Sequence, residues 1–184
     1  MNFSQIKKIP WVLRAVINKI WFGKIGALCY IGSPCFIAKK KALFLGDKVR
    51  IYPGLRVEIQ DNGCIEFGNN ISIGQNFHIV SMKKKLKIGD NVTISANVFI
   101  SNCDHTFDNI PKSALEKPLI SKDTYIANNC FIGYGAVILA GTYLGENCVV
   151  GANSVVRGMF PKNSIIAGNP AKILKKIDEG KDNE

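Results

Sequence analysis

The sequence predicts an all-β solenoid, because its aliphatic residues recur at a period that fits neither a helix nor a simple strand. One stands at every sixth position from residue 120 to residue 156: Ile120, Ile126, Ile132, Ile138, Leu144, Val150 and Val156. A helix requires spacings of three and four, and a strand requires two. Seven such repeats indicate a coil of three short strands per turn, whose aliphatic side chains point inward and stack on the next coil about 4.8 Å away.

A second pattern in the same repeats marks the corners between strands. A compact residue follows each aliphatic residue by four positions: Thr124, Cys130, Ala136, Thr142, Cys148 and Ser154. Glycine follows the aliphatic residue directly at Gly133, Gly145 and Gly151, where we expect it to supply backbone dihedrals that other residues avoid. Together the two patterns predict a parallel β-helix.

Residues 1–24 form the first predicted element, an amphipathic helix. Its apolar face carries Val12, Leu13, Val16, Ile17 and Ile20. One interpretation is a cap over the open end of the solenoid, whose strand edges need cover. The other is an interfacial helix that lies on the inner membrane leaflet. The apolar run is too short and too charged to span a bilayer, and the two interpretations are compatible with each other.

Residues 25–158 form the predicted β-helix, with eighteen residues in each regular coil. Its early coils carry Ile25, Ile31 and Ile37, then Leu45, Ile51 and Val57, then Phe67, Ile73 and Ile79, then Ile88, Ile94 and Ile100. The repeat slips at the polar segments 39–41, 61–63 and 83–85, and the second of these has the composition of a turn. We therefore predict corner insertions at all three segments.

Residues 104–117 interrupt the β-helix. They lie between the expected positions Ile100 and Ile120, are rich in polar residues and proline, and show no six-residue repeat. We predict a loop that leaves the solenoid, and loops on a rigid scaffold often carry functional residues.

Residues 159–184 form the predicted C-terminal turn, short helix and tail. Asn169 is typical of a helix N-cap, and Pro170 is typical of the first helical position. These two residues predict a short helix over residues 171–177. The charged residues after it are expected to be frayed.

Composition limits the classes of function. The 184 residues suffice for one domain with a full core, and 24 basic against 14 acidic side chains give a net charge of +10. The basic residues are dispersed and lack interleaved aromatic residues, so we expect no nucleic-acid binding, and a polyanionic cofactor fits the charge as well.

The cysteines indicate the compartment. Cys130 and Cys148 occupy the compact corner position, no CxxC pair exists, and no cleavable signal peptide is evident. We therefore expect reduced thiols, as in a cytoplasmic protein.

The repeat resembles the left-handed parallel β-helix of the hexapeptide-repeat acyltransferases. The segment Ile166-Ala167-Gly168-Asn169-Pro170-Ala171-Lys172 is similar to the end of their sugar O-acetyltransferase branch, which includes maltose, galactoside and capsular or O-antigen acetyltransferases. The left hand is implied by this resemblance alone. The resemblance also implies a homotrimer that transfers acetyl from acetyl-CoA to a sugar hydroxyl, here of a cell-surface polysaccharide precursor. The thiols and the N-terminal helix lead us to expect it in the cytoplasm, or on the inner membrane face.

His105 is the candidate catalytic residue, because it stands where this family places its general base. A neutral imidazole can take the proton of a sugar hydroxyl as the oxygen attacks the thioester, and then pass it to the leaving thiolate. Asp104, Asp108, Glu116 or a main-chain carbonyl could orient the ring. A Cys103–His105 nucleophilic pair is the less favoured interpretation, since the family does not use one.

The resemblance also suggests which residues bind the substrates. Asn76, His78 and Asp104 are candidates for the acceptor, although Asn76 and His78 could instead be ordinary corner residues. A groove between solenoids of the trimer would hold acetyl-CoA. The residues carried over to this cofactor site are Phe131, Tyr134, Ala152, Arg157 in place of the usual lysine, Lys162 and Lys175, where a C-terminal basic contact to a phosphate is found.

Several further functions fit the same fold. An N-acetyltransferase of a nucleotide-linked amino sugar would share the fold and the cofactor. An acetyltransferase of antibiotics or another small alcohol is also compatible with it, and so is a solenoid scaffold without enzymatic activity. A zinc carbonic anhydrase on this fold requires three histidine ligands, whereas the chain contains two histidines.

Overall fold

The computed structural model describes residues 8–106, 113 and 116–177. It contains one described α-helix, α1 (Ile9–Asn18), a 3-10 turn (Lys40–Ala42) and 23 strands. In chain order the strands are β1 Lys24–Ile25, β2 Tyr30–Ile31, β3 Phe36–Ile37, β4 Leu43–Leu45, β5 Arg50–Ile51, β6 Arg56–Gln60, β7 Cys64–Phe67, β8 Ser72–Ile73, β9 His78–Met82, β10 Lys85–Ile88, β11 Thr93–Ile94, β12 Phe99–Ser101, β13 Cys103–His105, β14 Leu119–Ser121, β15 Thr124–Ile126, β16 Phe131–Ile132, β17 Val137–Ile138, β18 Tyr143–Leu144, β19 Val149–Val150, β20 Val155–Val156, β21 Met159–Phe160, β22 Ser164–Gly168 and β23 Ala171–Lys176.

The strands form a parallel solenoid with three faces. Sheet 1 has the order β1-β4-β7-β10-β15-β18-β21, sheet 2 the order β2-β5-β8-β11-β16-β19-β22-β23, and sheet 3 the order β3-β6-β9-β12-β17-β20. Strands β13 and β14 form a separate antiparallel pair. The predicted parallel β-solenoid is therefore confirmed, while its hand stays a prediction from the resemblance.

The inward side chains stack in one column per sheet, in the predicted order. On sheet 2, for example, Ile31 pairs with Ile51, Ile51 with Ile73, and Ile73 with Ile94. These side chains are at most 1% exposed. Burial of this continuous aliphatic column is the main stabilising contribution of the solenoid.

The corners use glycine differently from the prediction. The compact residues are buried as expected, with Cys130 and Ala136 at 2% and 0% exposure. Gly133 and Gly145, however, do not adopt positive φ. A Cβ at Gly133 would lie 2.7 Å from the backbone nitrogen of Ala152 in the next coil, so glycine is required here for close approach of stacked coils.

Asparagine occupies many of the left-handed corners instead. Asn70, Asn91 and Asn129 have φ of 54°, 56° and 60° at equivalent corners between sheets 1 and 2. Their side chains form a ladder, in which Asn70 donates to Asn91 at 2.9 Å and Asn91 donates to Asn129 at 3.1 Å. Asparagine tolerates this conformation because its short polar side chain can hydrogen-bond locally.

All insertions lie along one edge of the solenoid, where sheet 3 leads into sheet 1. The segments 39–41, 61–63 and 83–85 follow β3, β6 and β9 at this edge. The long excursion leaves the same edge after β12. This edge therefore carries the irregular part of the molecule, and we call it the insertion edge.

Two predicted features at the ends of the repeat are wrong. Ile120 is not an inward residue of the solenoid, because it lies on β14 and is 39% exposed, and the stacked partner of Ile88 is Ile126. The predicted helix over residues 171–177 is strand β23, which folds back antiparallel onto β22. Asn169 and Pro170 form the turn between these strands after Gly168, whose φ is +108°, rather than the start of a helix.

The N-terminal helix is shorter than predicted, at Ile9–Asn18, and residues 1–7 lie outside the described residues. It packs against β2 in the first coil, as a cap requires. Within the described residues, no helix has both the length and the apolar character needed to cross a lipid bilayer.

Candidate active site

The excursion begins as an extension of sheet 3. After Ser101 and Asn102, strand β13 pairs antiparallel with β14, with Asp104 opposite Ile120 and His105 opposite Leu119. The excursion therefore returns at residue 121, later than the predicted end at residue 117. Residues 107–112, 114 and 115 lie outside the described residues, and the candidate orienting residue Asp108 is among them.

Asn102 fixes the root of the excursion. It is fully buried, and its Oδ1 accepts a hydrogen bond of 2.8 Å from the backbone N–H of Met82. Its Nδ2 donates to the carbonyl of Lys84 at 3.1 Å, and its own carbonyl accepts from the backbone N–H of Lys122 at 2.8 Å. The Asn102 side chain thus joins the start of the excursion to the preceding coil, and its backbone carbonyl joins it to the returning chain. Asn102 was not among the predicted site residues, although a polar residue where the coil leaves sheet 3 was a usable signal.

His105 is held by the hairpin and open to solvent. Its side chain is exposed, and within the described part of the chain its imidazole has no hydrogen-bond partner. Successive residues of a strand point to opposite faces, so Asp104 and His105 point away from each other on β13. Asp104 is therefore poorly placed to orient the imidazole.

Asp104 instead pairs with Arg157. The guanidinium of Arg157 lies 2.5 Å from the Asp104 carboxylate, at the corner that follows β20 on the insertion edge. The two side chains are 52% and 21% exposed, respectively. This ion pair ties the excursion to a coil two steps further along the solenoid. Arg157, a predicted cofactor residue, thus lies beside the candidate base.

Cys103 has a different partner from the one a Cys–His nucleophile requires. Its Sγ lies 3.5 Å from the Oγ of Ser101, and its backbone N–H donates to the same hydroxyl at 3.0 Å. All six cysteines are free thiols, and Cys29, Cys130 and Cys148 are buried. The Cys148 thiol and burial raise the pKa of Cys130. This pair packs the corner between sheets 1 and 2.

His78 lies on the outer surface of sheet 3, one coil before the root of the excursion. Its Nε2 is 3.0 Å from Glu58 Oε1, and its ring meets Phe99 edge-to-face at 5.0 Å between centroids. Arg56 binds the same carboxylate at 2.7 Å. The Arg56 guanidinium, with a smaller contribution from His78, holds the pKa of Glu58 below its ordinary value. Arg56, Glu58, His78 and Phe99 form a polar and aromatic strip, which we call the sheet 3 strip.

Asn76 is a corner residue between sheets 2 and 3. Its φ is +55°, its backbone N–H donates to the Pro53 carbonyl, and its side chain donates to Asn97 at 3.1 Å. Asn97 in turn donates to the hydroxyl of Tyr134. A role for Asn76 in acceptor binding stays a prediction, since these contacts already account for the residue.

Most of the predicted cofactor residues lie on or beside sheet 2. Phe131 pairs with Val149, Val149 with Ile165, and Ile165 with Lys175, so Phe131 and Lys175 share one column three strands apart, about 14 Å. Phe131 is 43% exposed, and Lys175 is exposed on β23. The exposed Tyr134 and Ala152 lie at the next corner, between sheets 2 and 3.

Lys162 lies at the corner between sheets 1 and 2, where its carbonyl accepts from the ammonium of Lys176 at 3.2 Å. Lys175 and Lys176 are consecutive on β23 and point to opposite faces, and Lys176 also donates to the Ser164 hydroxyl at 3.1 Å, so Lys175 is the cation that shares the outer face with Phe131. An exposed aromatic ring and an exposed lysine in one column suit a ligand with an apolar arm and phosphates. The described residues thus fit the predicted cofactor.

Eight of the ten predicted site residues form two groups, while His78 lies on the outer surface of sheet 3 and Asn76 at the corner between sheets 2 and 3. His105, Asp104 and Arg157 lie on the insertion edge, whereas Phe131, Tyr134, Ala152, Lys162 and Lys175 lie on sheet 2 and its corners. Within one chain, sheet 3 lies between the insertion edge and the corner of Tyr134 and Ala152, and sheet 1 lies between that edge and Lys162.

The fold and these residues define a transferase of the hexapeptide-repeat class. Residues 123–158 match the family model described as bacterial transferase hexapeptide (six repeats), and residues 87–102 match the hexapeptide repeat of succinyl-transferase. WbbJ of Escherichia coli K12, assigned as a lipopolysaccharide biosynthesis O-acetyl transferase, is 35% identical over 157 residues, which cover 80% of this chain and 79% of WbbJ. The chain belongs to the hexapeptide-repeat acetyltransferase family and is an acyltransferase.

Two solved structures support the fold assignment. A galactoside acetyltransferase in complex with coenzyme A is 25% identical, with a TM-score of 0.62 and coverage of 97% of this chain and 74% of that one. AntD, an N-acyltransferase from Bacillus cereus in complex with dTDP and 3-hydroxybutyryl-CoA, has a TM-score of 0.75 at 18% identity. The match covers 90% of this chain and 88% of AntD, and at that identity it shows the fold alone.

Proposed function

We propose that this enzyme transfers an acetyl group from acetyl-CoA to a sugar hydroxyl of a cell-surface polysaccharide precursor. The observation that carries the proposal is His105, an exposed imidazole at a hydrogen-bonded root, on a solenoid 35% identical to a lipopolysaccharide biosynthesis O-acetyl transferase. Coenzyme A bound to a galactoside acetyltransferase of the same fold supports the choice of donor.

In the proposed reaction, His105 acts as a general base. The neutral imidazole removes the hydroxyl proton while the sugar oxygen attacks the thioester carbonyl carbon. The resulting tetrahedral intermediate breaks its carbon–sulfur bond, and the imidazolium returns the proton to the departing thiolate. No acyl-enzyme is formed. General base catalysis of this kind contributes about 10²–10⁴-fold.

We further propose that the enzyme works as a homotrimer, with the site between adjacent copies. The separation of the His105 group from the sheet 2 group supports this arrangement, because a neighbouring solenoid could bring the second group to the first. The sheet 3 strip, with its half-buried aromatic ring and charged hydrogen-bonding groups, is a suitable surface for the acceptor sugar.

The first test is thermal unfolding with and without acetyl-CoA, for the wild type and for Lys175→Ala. A ligand that binds the folded state alone stabilises it by about 2.7 kcal/mol at a hundredfold excess over Kd. We expect a clear upward shift in Tm that is smaller for Lys175→Ala. No shift at millimolar acetyl-CoA would exclude it as the donor.

The second test identifies the bond that is formed. The wild type and His105→Gln are incubated with acetyl-CoA and a panel of neutral sugars and nucleotide-linked amino sugars, and the products are analysed by mass spectrometry before and after mild alkali. An O-acetyl ester is cleaved by alkali, whereas an amide is retained. Alkali-stable product on amino sugars alone would favour the second candidate, an N-acetyltransferase, for which the fold of AntD is the supporting observation.

A further inference from the structure

The N-terminal helix turns its apolar face away from the protein. Leu13, Val16 and Ile17 are 55–56% exposed, Val12 is 46% exposed, and Ile20, directly after the helix, is 74% exposed. An amphipathic helix of a globular protein normally buries this face. The helix therefore packs against the first coil while its apolar face points to solvent, and the cap stays a prediction.

The polar face of the helix attaches it to the first coil. Arg14 donates a hydrogen bond of 2.8 Å to the carbonyl of Ile31, on strand β2, and a longer one to Ser33. Lys40 donates to the Asn18 side chain at 3.3 Å, and Ala15 is buried. These contacts fix the orientation of the helix, so its apolar face is held toward the solvent by specific hydrogen bonds.

Lysines lie beside this apolar face, and the surrounding part of the sequence is strongly basic. Trp21, 56% exposed, lines a shallow apolar groove with Lys39, Lys40 and Lys41. Residues 1–46 contain no aspartate or glutamate, and their basic residues are Lys7, Lys8, Arg14, Lys19, Lys24, Lys39, Lys40 and Lys41. This quarter of the chain therefore accounts for +8 of the net charge of +10. Although the basic residues are dispersed along the chain, the absence of acidic residues from this segment concentrates positive charge here.

We propose that this surface, formed by residues 9–24 and 39–41 and called the basic apolar end, docks on an anionic lipid bilayer. Exposed aliphatic residues, a tryptophan and flanking lysines are the composition that binds an interfacial helix to anionic lipids. A second copy of the same surface is a poor occupant, because two patches without acidic residues would repel each other. The proposal does not depend on the acceptor or on the donor of the enzyme.

Docking would also position the candidate base. The segment 39–41 and the excursion both lie on the insertion edge, separated by three coil steps, about 14 Å. A bilayer held at the basic apolar end therefore lies within reach of an acceptor attached to a lipid. An acyltransferase that acts on lipid-linked sugars gains from this placement through a higher local concentration of acceptor.

The test uses the full chain and vesicles of phosphatidylcholine alone or with about 30% phosphatidylglycerol, in a flotation assay. We expect binding to the anionic vesicles, weaker binding to the neutral ones, and loss of binding as salt is raised. Trp21 fluorescence should shift to shorter wavelength on binding, and the shift should be absent from Trp21→Phe. Trp11 does not interfere, because it packs between Tyr30 and Tyr52 with ring centroids 5.8 and 5.6 Å away.

Matched variants show whether vesicle binding depends on the basic apolar end itself or only on the overall apolar content and charge of the protein. Leu13→Gln/Ile17→Gln should weaken vesicle binding at least tenfold, whereas Met159→Gln/Leu174→Gln, at exposed positions elsewhere, should not. Lys19→Gln/Lys24→Gln/Lys41→Gln should weaken it by about fivefold for each charge removed, from about 1 kcal/mol per basic residue. Lys83→Gln/Lys87→Gln/Lys122→Gln has the same net charge and should bind like the wild type.

Three results would overturn the proposal. The first is a full chain that does not float with anionic vesicles at low salt. The second is equal loss of binding in the matched variants, which would indicate an effect of net charge alone. The third is self-association that Leu13→Gln/Ile17→Gln abolishes in the absence of lipid, which would assign the surface to a second copy.

Discussion

The regular coils after residue 124 and the root of the excursion are neighbours in space but are held by different contacts. In the coils, each inward position of the six-residue repeat carries an apolar side chain stacked on an equivalent one, as for Ile132 and Val150. At the root, the chain is held by hydrogen bonds from single side chains, chiefly Asn102 and Ser101. The coils therefore have many equivalent contacts, whereas the root has a few that nothing else replaces.

Because of this difference, the coils should mainly determine the stability of the protein and the root should mainly determine its activity. An aliphatic column tolerates irregular corners, which explains how insertions of different length occur on one edge without loss of register. The root, in contrast, determines where the candidate base lies. Changes in the coils should therefore affect the free energy of unfolding, and changes at the root should affect turnover.

The largest expected effect is at His105. His105→Gln should lower kcat about 10²–10⁴-fold, because the imidazole is the proposed general base. The side chain is exposed, so the free energy of unfolding should change by less than about 0.5 kcal/mol. Initial rates and thermal unfolding measure the two quantities. His78→Gln is the comparison, since it should raise the KM for the acceptor more than it lowers kcat. A fall in kcat of less than tenfold for His105→Gln would rule out the assigned role.

The next effect is on the stability of the coils. Ile132→Ala removes a fully buried side chain and should cost about 2–5 kcal/mol of unfolding free energy. Ile120→Ala is the matched control, because it is the same substitution twelve residues earlier at a position that the repeat pattern includes but that is 39% exposed. It should cost less than about 1 kcal/mol in denaturant unfolding. Equal losses for the two variants would place Ile120 in the core and contradict the register.

A smaller effect on stability, joined to an effect on activity, is expected at Asn102. Asn102→Ala leaves the Met82 N–H without its buried acceptor and should cost about 1–3 kcal/mol. It should also lower kcat by displacing His105, while leaving the affinity for acetyl-CoA unchanged. Asn102→Asp keeps an acceptor for Met82 but buries a carboxylate against the Lys84 carbonyl, so it should not recover the lost stability. Asn62→Ala, at an exposed turn, serves as the control. An unchanged kcat in Asn102→Ala would exclude the positioning role.

The same contrast explains what could be predicted from the sequence. The six-residue spacing predicted the inward columns from Ile25 to Val156, because burial of a repeated side chain leaves a periodic trace in the sequence. It failed at Ile120, where the spacing continues by coincidence into β14. It could not show that Asn102 joins three segments, because a contact made at one coil alone leaves no periodic trace.

Local signals failed where long-range pairing decides the structure. Asn169-Pro170 is a good helix start by local rules, yet the open edge of β22 provides partners for an antiparallel strand and Gly168 allows the reversal. Likewise, the apolar face of α1 was visible in the sequence, but its direction depends on Arg14 reaching the Ile31 carbonyl. The predicted roles of Asn76, His78 and the cofactor residues rest on the resemblance and stay predictions.

The smallest expected effect concerns the ion pair between Asp104 and Arg157. Because Arg157 is half exposed, the pair should contribute only about 0.2–1 kcal/mol to stability, and less at high salt. A double-mutant cycle of Asp104→Asn and Arg157→Gln measures this contribution.

Acetyl-CoA binding distinguishes the two possible roles of Arg157. If Arg157 contacts a phosphate of the donor, Arg157→Gln weakens acetyl-CoA binding, while Asp104→Asn frees the guanidinium and leaves binding equal or tighter. If Arg157 serves only to hold the excursion, both variants lower kcat to a similar extent and neither changes the affinity for acetyl-CoA. The second outcome would assign Arg157 to the root and remove it from the cofactor site.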